Sequence, residues 1–267
     1  MIYNKAIRRS CLALLALVFS ISFTWRELSA QEQGVRIAAA ADLQFAMADL
    51  AQQYKNQTGK TLSVTYGSSG NFFSQILNGA PFDLFFSADI DYPRQLVIAS
   101  LADPATFYKY AVGRIVIWIP PGSKIDVANQ KWNALLDPTV QKIAIGNPEH
   151  APYGKAAVAA MQKAGIYEKV KAKLVLGENI SQAAQFVQSG NAQVGIVALS
   201  LAISPAMKDG QRWEIPAETY PAIEQAAIVL NSANNKDAAR AFLEFVKSDS
   251  GRETLAKYGF AVPSGQR

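Results

Sequence analysis

Four short segments of the 267-residue chain set hydrogen-bond donors beside turn-forming residues. They are Ala41-Asp42, Gly67-Ser68-Ser69-Gly70, the stretch from Asn147 to Tyr153-Gly154, and Asn179-Ile180-Ser181. In each, an apolar run of strand character ends, a polar or glycine-bearing turn follows, and a helical pattern begins. The chemistry this spacing offers is anion binding. The first turn of a helix presents N–H groups with no intrahelical acceptor and a partial positive charge, so it holds an anion without Lys or Arg. Ser68 and Ser69 add hydroxyls that rotate to suit an oxygen, and Gly70 has no Cβ where backbone must come close to a ligand. Taken singly, each segment reads equally as ordinary local structure. Ser68, Ser69 and Asp42 are common helix N-caps, Tyr153 suits turn packing, and Ile180 offers at most a backbone group. Two such turns in each half of the chain point to an anion held between two lobes.

Catalytic chemistry is poorly supplied. His150 is the single histidine, and a triad of Ser69, His150 and an aspartate is formally available. No G-x-S-x-G elbow occurs, because Gly67-Ser68-Ser69-Gly70 is one residue short. P-loop and G-x-G-x-x-G motifs are absent, and no His/Cys cluster or paired-acid motif is visible. His150 reads as a structural or surface residue. The expectation is a protein that is not an enzyme, with no cofactor and no metal-cation ligands.

The elements that must position these turns alternate along the chain. Val35–Ala40, 62–66 and 83–86 read as strands, with helices at 42–54 and around Phe72, Phe73, Ile76 and Leu77 between them. A second set has strands at 114–119, 142–145, 173–176 and 194–197, with helices around 154–164 and 181–188. A further strand falls at 226–230, and 236–258 reads as one long helical tail. Alternation of this kind argues for an α/β fold with parallel sheet and helices on its faces. No flexible linker separates the two sets, which suits two lobes joined by strands that cross over and back. The crossings are expected near 111–113 and 225–227, giving lobe 1 as 31–112 plus 226–267 and lobe 2 as 113–225.

The first thirty residues read as a cleaved signal peptide. Lys5, Arg8 and Arg9 precede an apolar run at 11–23, and Ser29-Ala30 offers a cleavage site. A run of about 13 residues falls short of the roughly 20 that span a bilayer. Lys5, Arg8, Arg9, Arg26 and Glu27 leave with this segment, so the net charge falls from +5 to +2. That leaves no concentrated basic face for nucleic acid. Cys11, the single cysteine, leaves too, which excludes disulfides and thiolate chemistry in the exported chain.

The run Ala38-Ala39-Ala40-Ala41-Asp42-Leu43, the turn Gly67-Ser68-Ser69-Gly70, and the stretch from Asn78-Gly79-Ala80-Pro81 to Ser87-Ala88-Asp89 together resemble the periplasmic molybdate-binding proteins of ABC importers. So do Tyr110-Ala111-Val112-Gly113, the stretch Asn147-Pro148-Glu149-His150-Ala151-Pro152-Tyr153-Gly154, and Tyr258-Gly259-Phe260. The resemblance spans essentially the whole chain after the leader. It implies a two-lobed type II periplasmic binding protein fold, with a cleft between two αβα lobes that closes over molybdate or tungstate. It further implies a periplasmic monomer that works with the membrane permease of an ABC importer. By resemblance the ligand is held at Ala41, Asp42, Ser68, Ser69, Tyr153 and Ile180, the last through its backbone N–H. A tyrosine that some members supply after the fourth helix is replaced by Ala198, and Tyr153 is expected to take its place from the other loop. Asp42 stands where the family usually has Ser, Thr or Asn. An ionised carboxylate only accepts hydrogen bonds, as does fully deprotonated molybdate. Asp42 is therefore expected to cap its helix and give the ligand its backbone N–H. The alternative is a ligand that carries a proton, such as hydrogen phosphate. A secreted serine hydrolase is the remaining alternative.

Overall fold

The computed structural model describes residues 34–263, and the expected leader lies outside them. The first half of the chain runs β1 (Val35–Ala40), a 3-10 turn at Ala41–Leu43, α1 (Gln44–Thr58), β2 (Leu62–Gly67), α2 (Ser69–Leu77), β3 (Leu84–Ser87), α3 (Asp91–Ile98) and β4 (Tyr108–Gly113). The second half continues with β5 (Ile115–Ile119), α4 (Val127–Gln130), β6 (Ile143–Gly146), α5 (Pro152–Lys163), α6 (Tyr167–Val170), β7 (Leu174–Gly177), α7 (Ile180–Gln188), β8 (Val194–Ala198), α8 (Leu199–Ala202) and β9 (Gln211–Glu214). The chain then returns through β10 (Ile223–Val229) to α9 (Lys236–Lys247) and α10 (Asp249–Lys257).

These strands form two five-stranded sheets, ordered β2-β1-β3-β10-β4 and β7-β6-β8-β5-β9. Each has a parallel part, β2-β1-β3 in one and β7-β6-β8 in the other, extended by antiparallel strands. The inner strands β1 and β3 are covered on both faces and read as nearly continuous apolar runs, whereas the edge strand β2 alternates. Ile37 and Ala39 of β1 pack with Met47, Leu50 and Phe242, while Ala38 between them packs with Phe72, Ile76 and Leu96 on the other side. Ile117, Ile145, Ile196 and Ala157 belong to the core of the second lobe.

This geometry gathers the four turns. In each lobe the parallel strands end at their carboxyl termini in the segments singled out above: β1 at Ala41, β2 at Ser68, β6 at Asn147 and β7 at Asn179. Ligands of open αβ sheets collect at such ends.

The two sheets exchange strands at Arg114 and between Glu214 and Ile223. The return therefore comes earlier than the 225–227 expected from the pattern. Glu224 and Gln225 interrupt the apolar run, so the strand looked as though it began at Ala226; in fact Glu224 forms an ion pair with Lys109 of β4, and Gln225 is buried. Strand β9 was not expected. It is an edge strand beside β5 whose Gln211, Arg212 and Glu214 are exposed, so it carries little apolar signal.

The helical tail also differs from the single helix read in the sequence. It breaks at Ser248, whose backbone is extended and whose Oγ accepts from the Gly251 N–H at 3.2 Å, starting α10 afresh. Loss of an N-cap hydroxyl costs about 1 kcal/mol. Ser248→Ala should therefore lower the unfolding free energy by about that amount, read as a lower denaturant midpoint at unchanged slope; an unaltered midpoint would show that the break does not depend on the cap.

Candidate functional site

All six residues singled out in the sequence line one small pocket between the lobes, with a cavity of about 10 Å3. Ala41 and Asp42 come from the 3-10 turn after β1, Ser68 and Ser69 from the start of α2, Tyr153 from the start of α5 and Ile180 from the start of α7. Each is buried. Asn179 caps α7 by accepting from the Gln182 N–H at 3.0 Å, and Ser68 caps α2 by accepting from the Asn71 N–H at 3.4 Å. Helix α5 starts with Pro152, which lacks an N–H to satisfy. Ser69, Tyr153 and Ile180 lie in the first turns of these three helices, where N–H groups have no intrahelical acceptor. The Ser69 Oγ accepts from the Ala88 N–H at 2.8 Å, which leaves its own proton free to donate.

Among the described residues no Lys or Arg lines the pocket, and Asp42 is the one carboxylic acid there. The expectation that Asp42 caps a helix is overturned. The 3-10 turn begins one residue earlier, at Ala41, so Asp42 lies inside it with its side chain directed into the protein, and no side chain caps this turn. Oδ2 accepts from the Tyr153 hydroxyl and from Gln225 Nε2, both at 2.8 Å. Oδ1 is buried with no hydrogen-bond partner among the described residues. Burial pushes this carboxyl up to about 6, against the downward pull of the Gln225 and Tyr153 hydrogen bonds.

Gln225 is the residue that sequence reading missed. Its Nε2 also reaches the Tyr153 hydroxyl at 2.9 Å, and its Oε1 accepts from the Tyr110 hydroxyl at 2.7 Å. A lone glutamine inside the apolar strand 223–229 was the available signal. The result is a buried set in which Tyr110 holds Gln225, Gln225 and Tyr153 both donate to Asp42, and two strands of the crossover supply the supports. Burial raises the Tyr153 and Tyr110 phenols well above their ordinary value, and the Asp42 charge adds to the rise. Tyr153 thus gives its proton to Asp42 and does not direct it at the pocket. Its hydroxyl packs on Gly113, where any Cβ would collide with it.

Further contacts close the lobes on one another. Ser181 Oγ donates to the Ala41 carbonyl and Ser200 Oγ to the Asp42 carbonyl, both at 2.8 Å. The Gly70 N–H donates to the His150 carbonyl at 3.0 Å, and Ser68 Oγ lies 2.9 Å from His150 Nδ1. The close approach that Gly70 permits is therefore to the backbone of the other lobe and not to a ligand. His150 lies beside Ser68 and not Ser69, with its Nε2 3.6 Å from Glu178 Oε2. Ala198 ends β8 away from the pocket lining.

A pocket sealed between two αβ lobes, with donors from both, defines a two-lobed solute-binding protein. The chain belongs to the family described as bacterial extracellular solute-binding protein, whose model matches residues 35–261. It is 37% identical over 248 residues to the molybdate-binding protein ModA of Rhodobacter capsulatus, covering 93% of this chain and 94% of that one. It is 34% identical over 251 residues to ModA of Azotobacter vinelandii, covering 94% and 98%. The solved structure of the Azotobacter vinelandii periplasmic molybdate-binding protein superposes with a TM-score of 0.81 at 33% identity, covering 86% of this chain and 100% of that one. The two-lobed periplasmic binding protein fold implied by the resemblance is the observed one.

Gly70 offers a direct handle on closure. A Cβ there would lie 2.7 Å from the His150 carbonyl oxygen. Gly70→Ala should therefore hold the lobes apart, giving a larger radius of gyration by solution X-ray scattering at unchanged helix content. An unchanged radius would show that the two segments can yield without opening the cleft.

Proposed function

We propose that this protein is the exported binding component of an ABC importer and captures molybdate or tungstate in the interlobe pocket. The observation that carries this reading is a pocket with no cationic side chain, in which first turns of three helices and the Ser69 hydroxyl converge from both lobes. Such a site suits a small anion with oxygens on all sides, because N–H groups arranged around it satisfy every oxygen. The molybdate-binding relatives support this choice of ligand. Ala41, Asp42, Ser68, Ser69, Tyr153 and Ile180 are the residues we assign to the ligand, with Ser69 donating its hydroxyl and Ile180 its N–H. A membrane permease is the partner that this function requires, and periplasmic export through a cleaved leader fits residues 1–30. The protein acts as a monomer, without nucleic acid or cofactor.

Melting curves with molybdate, tungstate, sulfate and phosphate test the ligand class. A ligand bound only by the folded state stabilises by RT ln(1 + [L]/Kd), about 2.7 kcal/mol at a hundredfold excess over Kd. Molybdate or tungstate should raise the melting temperature far more than sulfate. A clear shift with phosphate and none with the metal oxyanions would overturn the proposal. Ser69→Ala should weaken molybdate binding by roughly 1.5–3 kcal/mol through loss of one hydrogen bond to a charged group.

A second reading draws on the row Ser68, His150 and Glu178, which has the composition of a hydrolytic triad. Three features argue against it. Ser68 already caps α2, the adjacent Gly70 N–H is engaged by the His150 carbonyl, and Glu178 is exposed at 3.6 Å. His150→Ala should weaken molybdate binding by about 1 kcal/mol, roughly fivefold, through loss of one contact across the cleft. The parent should hydrolyse no ester. Turnover that disappears in His150→Ala would establish the hydrolase instead.

A further inference from the structure

An acid at the heart of an anion pocket demands an account, and the two oxygens of Asp42 supply one. Oδ2 receives two side-chain hydrogen bonds, while Oδ1 is buried with no side-chain partner among the described residues, and the other donors near the carboxyl are the backbone N–H groups of Asp42 and Leu43. No Lys, Arg or His forms an ion pair with Asp42 among the described residues. We propose that Asp42 carries a proton on Oδ1 when the pocket is filled, so that the protein takes up one proton with each oxyanion dianion it captures. This inference rests on the oxyanion reading above.

The chemistry is a balance of donors. A dianion and an ionised carboxylate both only accept, so side by side in a sealed pocket they repel with nothing between them. Protonation removes one charge and turns Oδ1 into the donor that an oxyanion oxygen lacks. The proton comes from solvent, and no other bond forms or breaks.

Among the described residues, the groups around Asp42 supply hydrogen bonds but no positive charge. Tyr153 from α5 and Tyr110 from β4 are neutral phenols held far from ionisation, and Gln225 from β10 is neutral. Ser181 of α7 and Ser200 of α8 direct their hydroxyls at backbone carbonyls. Ser68 and Ser69 of the neighbouring turn are uncharged. His150 is engaged by Ser68 and faces Glu178. Burial already pushes the Asp42 carboxyl up to about 6. An adjacent dianion acts in the same direction.

Titration calorimetry of the parent with sodium molybdate at pH 8, in two buffers of different ionisation enthalpy, reads the proton count directly. Uptake of about one proton is expected, with affinity falling by about tenfold per pH unit between pH 7 and pH 9. Asp42→Asn places an amide N–H where the proton would be and keeps an oxygen for Tyr153 and Gln225. This variant should exchange no proton, bind with a flat pH profile, and equal or exceed the parent at pH 8. Molybdate binding by the parent without proton exchange would overturn the inference and leave the pocket's function intact. Weaker binding by a normally melting Asp42→Asn at every pH would overturn it too, since the proton would then belong to the ligand with Asp42 accepting it. No binding of molybdate, tungstate, sulfate or phosphate at any pH would overturn the oxyanion reading itself, and this inference with it. Should Asp42→Asn fail to fold, the proton count of the parent decides alone.

Discussion

The hydrogen bond from the Tyr153 hydroxyl to Asp42 Oδ2 joins the two lobes between two buried side chains, and the closed shape depends on it. Asp42 belongs to the end of a strand in one sheet and Tyr153 to the start of a helix on the other. Asp42 has Gln225 as a partner within its own lobe, but the Tyr153 hydroxyl finds its partners only on the opposite lobe. A polar group buried without a partner is costly, so the closed form needs both at once. Gln225 strengthens the constraint from the crossover strand: Tyr110 fixes the orientation of its amide, and its nitrogen then serves Asp42 and Tyr153 together. Four residues far apart in sequence thus set the distance and angle between lobes to within a hydrogen bond.

Much of the fold was legible because it is written in local terms. Strands covered on both faces read as uninterrupted apolar runs, and Gly or Pro marks several of the stops between elements. The four turns were legible for the same reason, since a strand end, a small polar residue and a helix start are contiguous in the chain. What escaped was set by distance. Nothing near Gln225 announces Asp42, which lies 183 residues away, and a glutamine in an apolar run simply looked like the strand's edge. The capping role expected of Asp42 followed from residue type alone; a turn that starts one residue earlier rotates the carboxyl inward and cancels it. Edge strand β9 escaped because half-exposed polar residues carry no periodic signal.

The proposed anion site would rely on little side-chain charge. Helix starts bring N–H groups that are already oriented by the backbone, so no flexible cation has to be ordered around the ligand. Because Ser68 and Asn179 cap their helices from just outside, the N–H groups nearest the pocket remain free while later ones in the same turn are occupied. Caps and donors are therefore divided residue by residue, and the pocket is built from backbone that substitutions change least.

Sealing has a kinetic meaning as well. Asp42 is 1% exposed and Ser69 wholly buried while the lobes stay together. Departure must wait for Ser181, Ser200, Gly70 and Tyr153 to release their partners on the opposite lobe. The dwell time of any occupant is then governed by the opening of the protein. A receptor that pries the lobes apart would control unloading without ever touching the cargo.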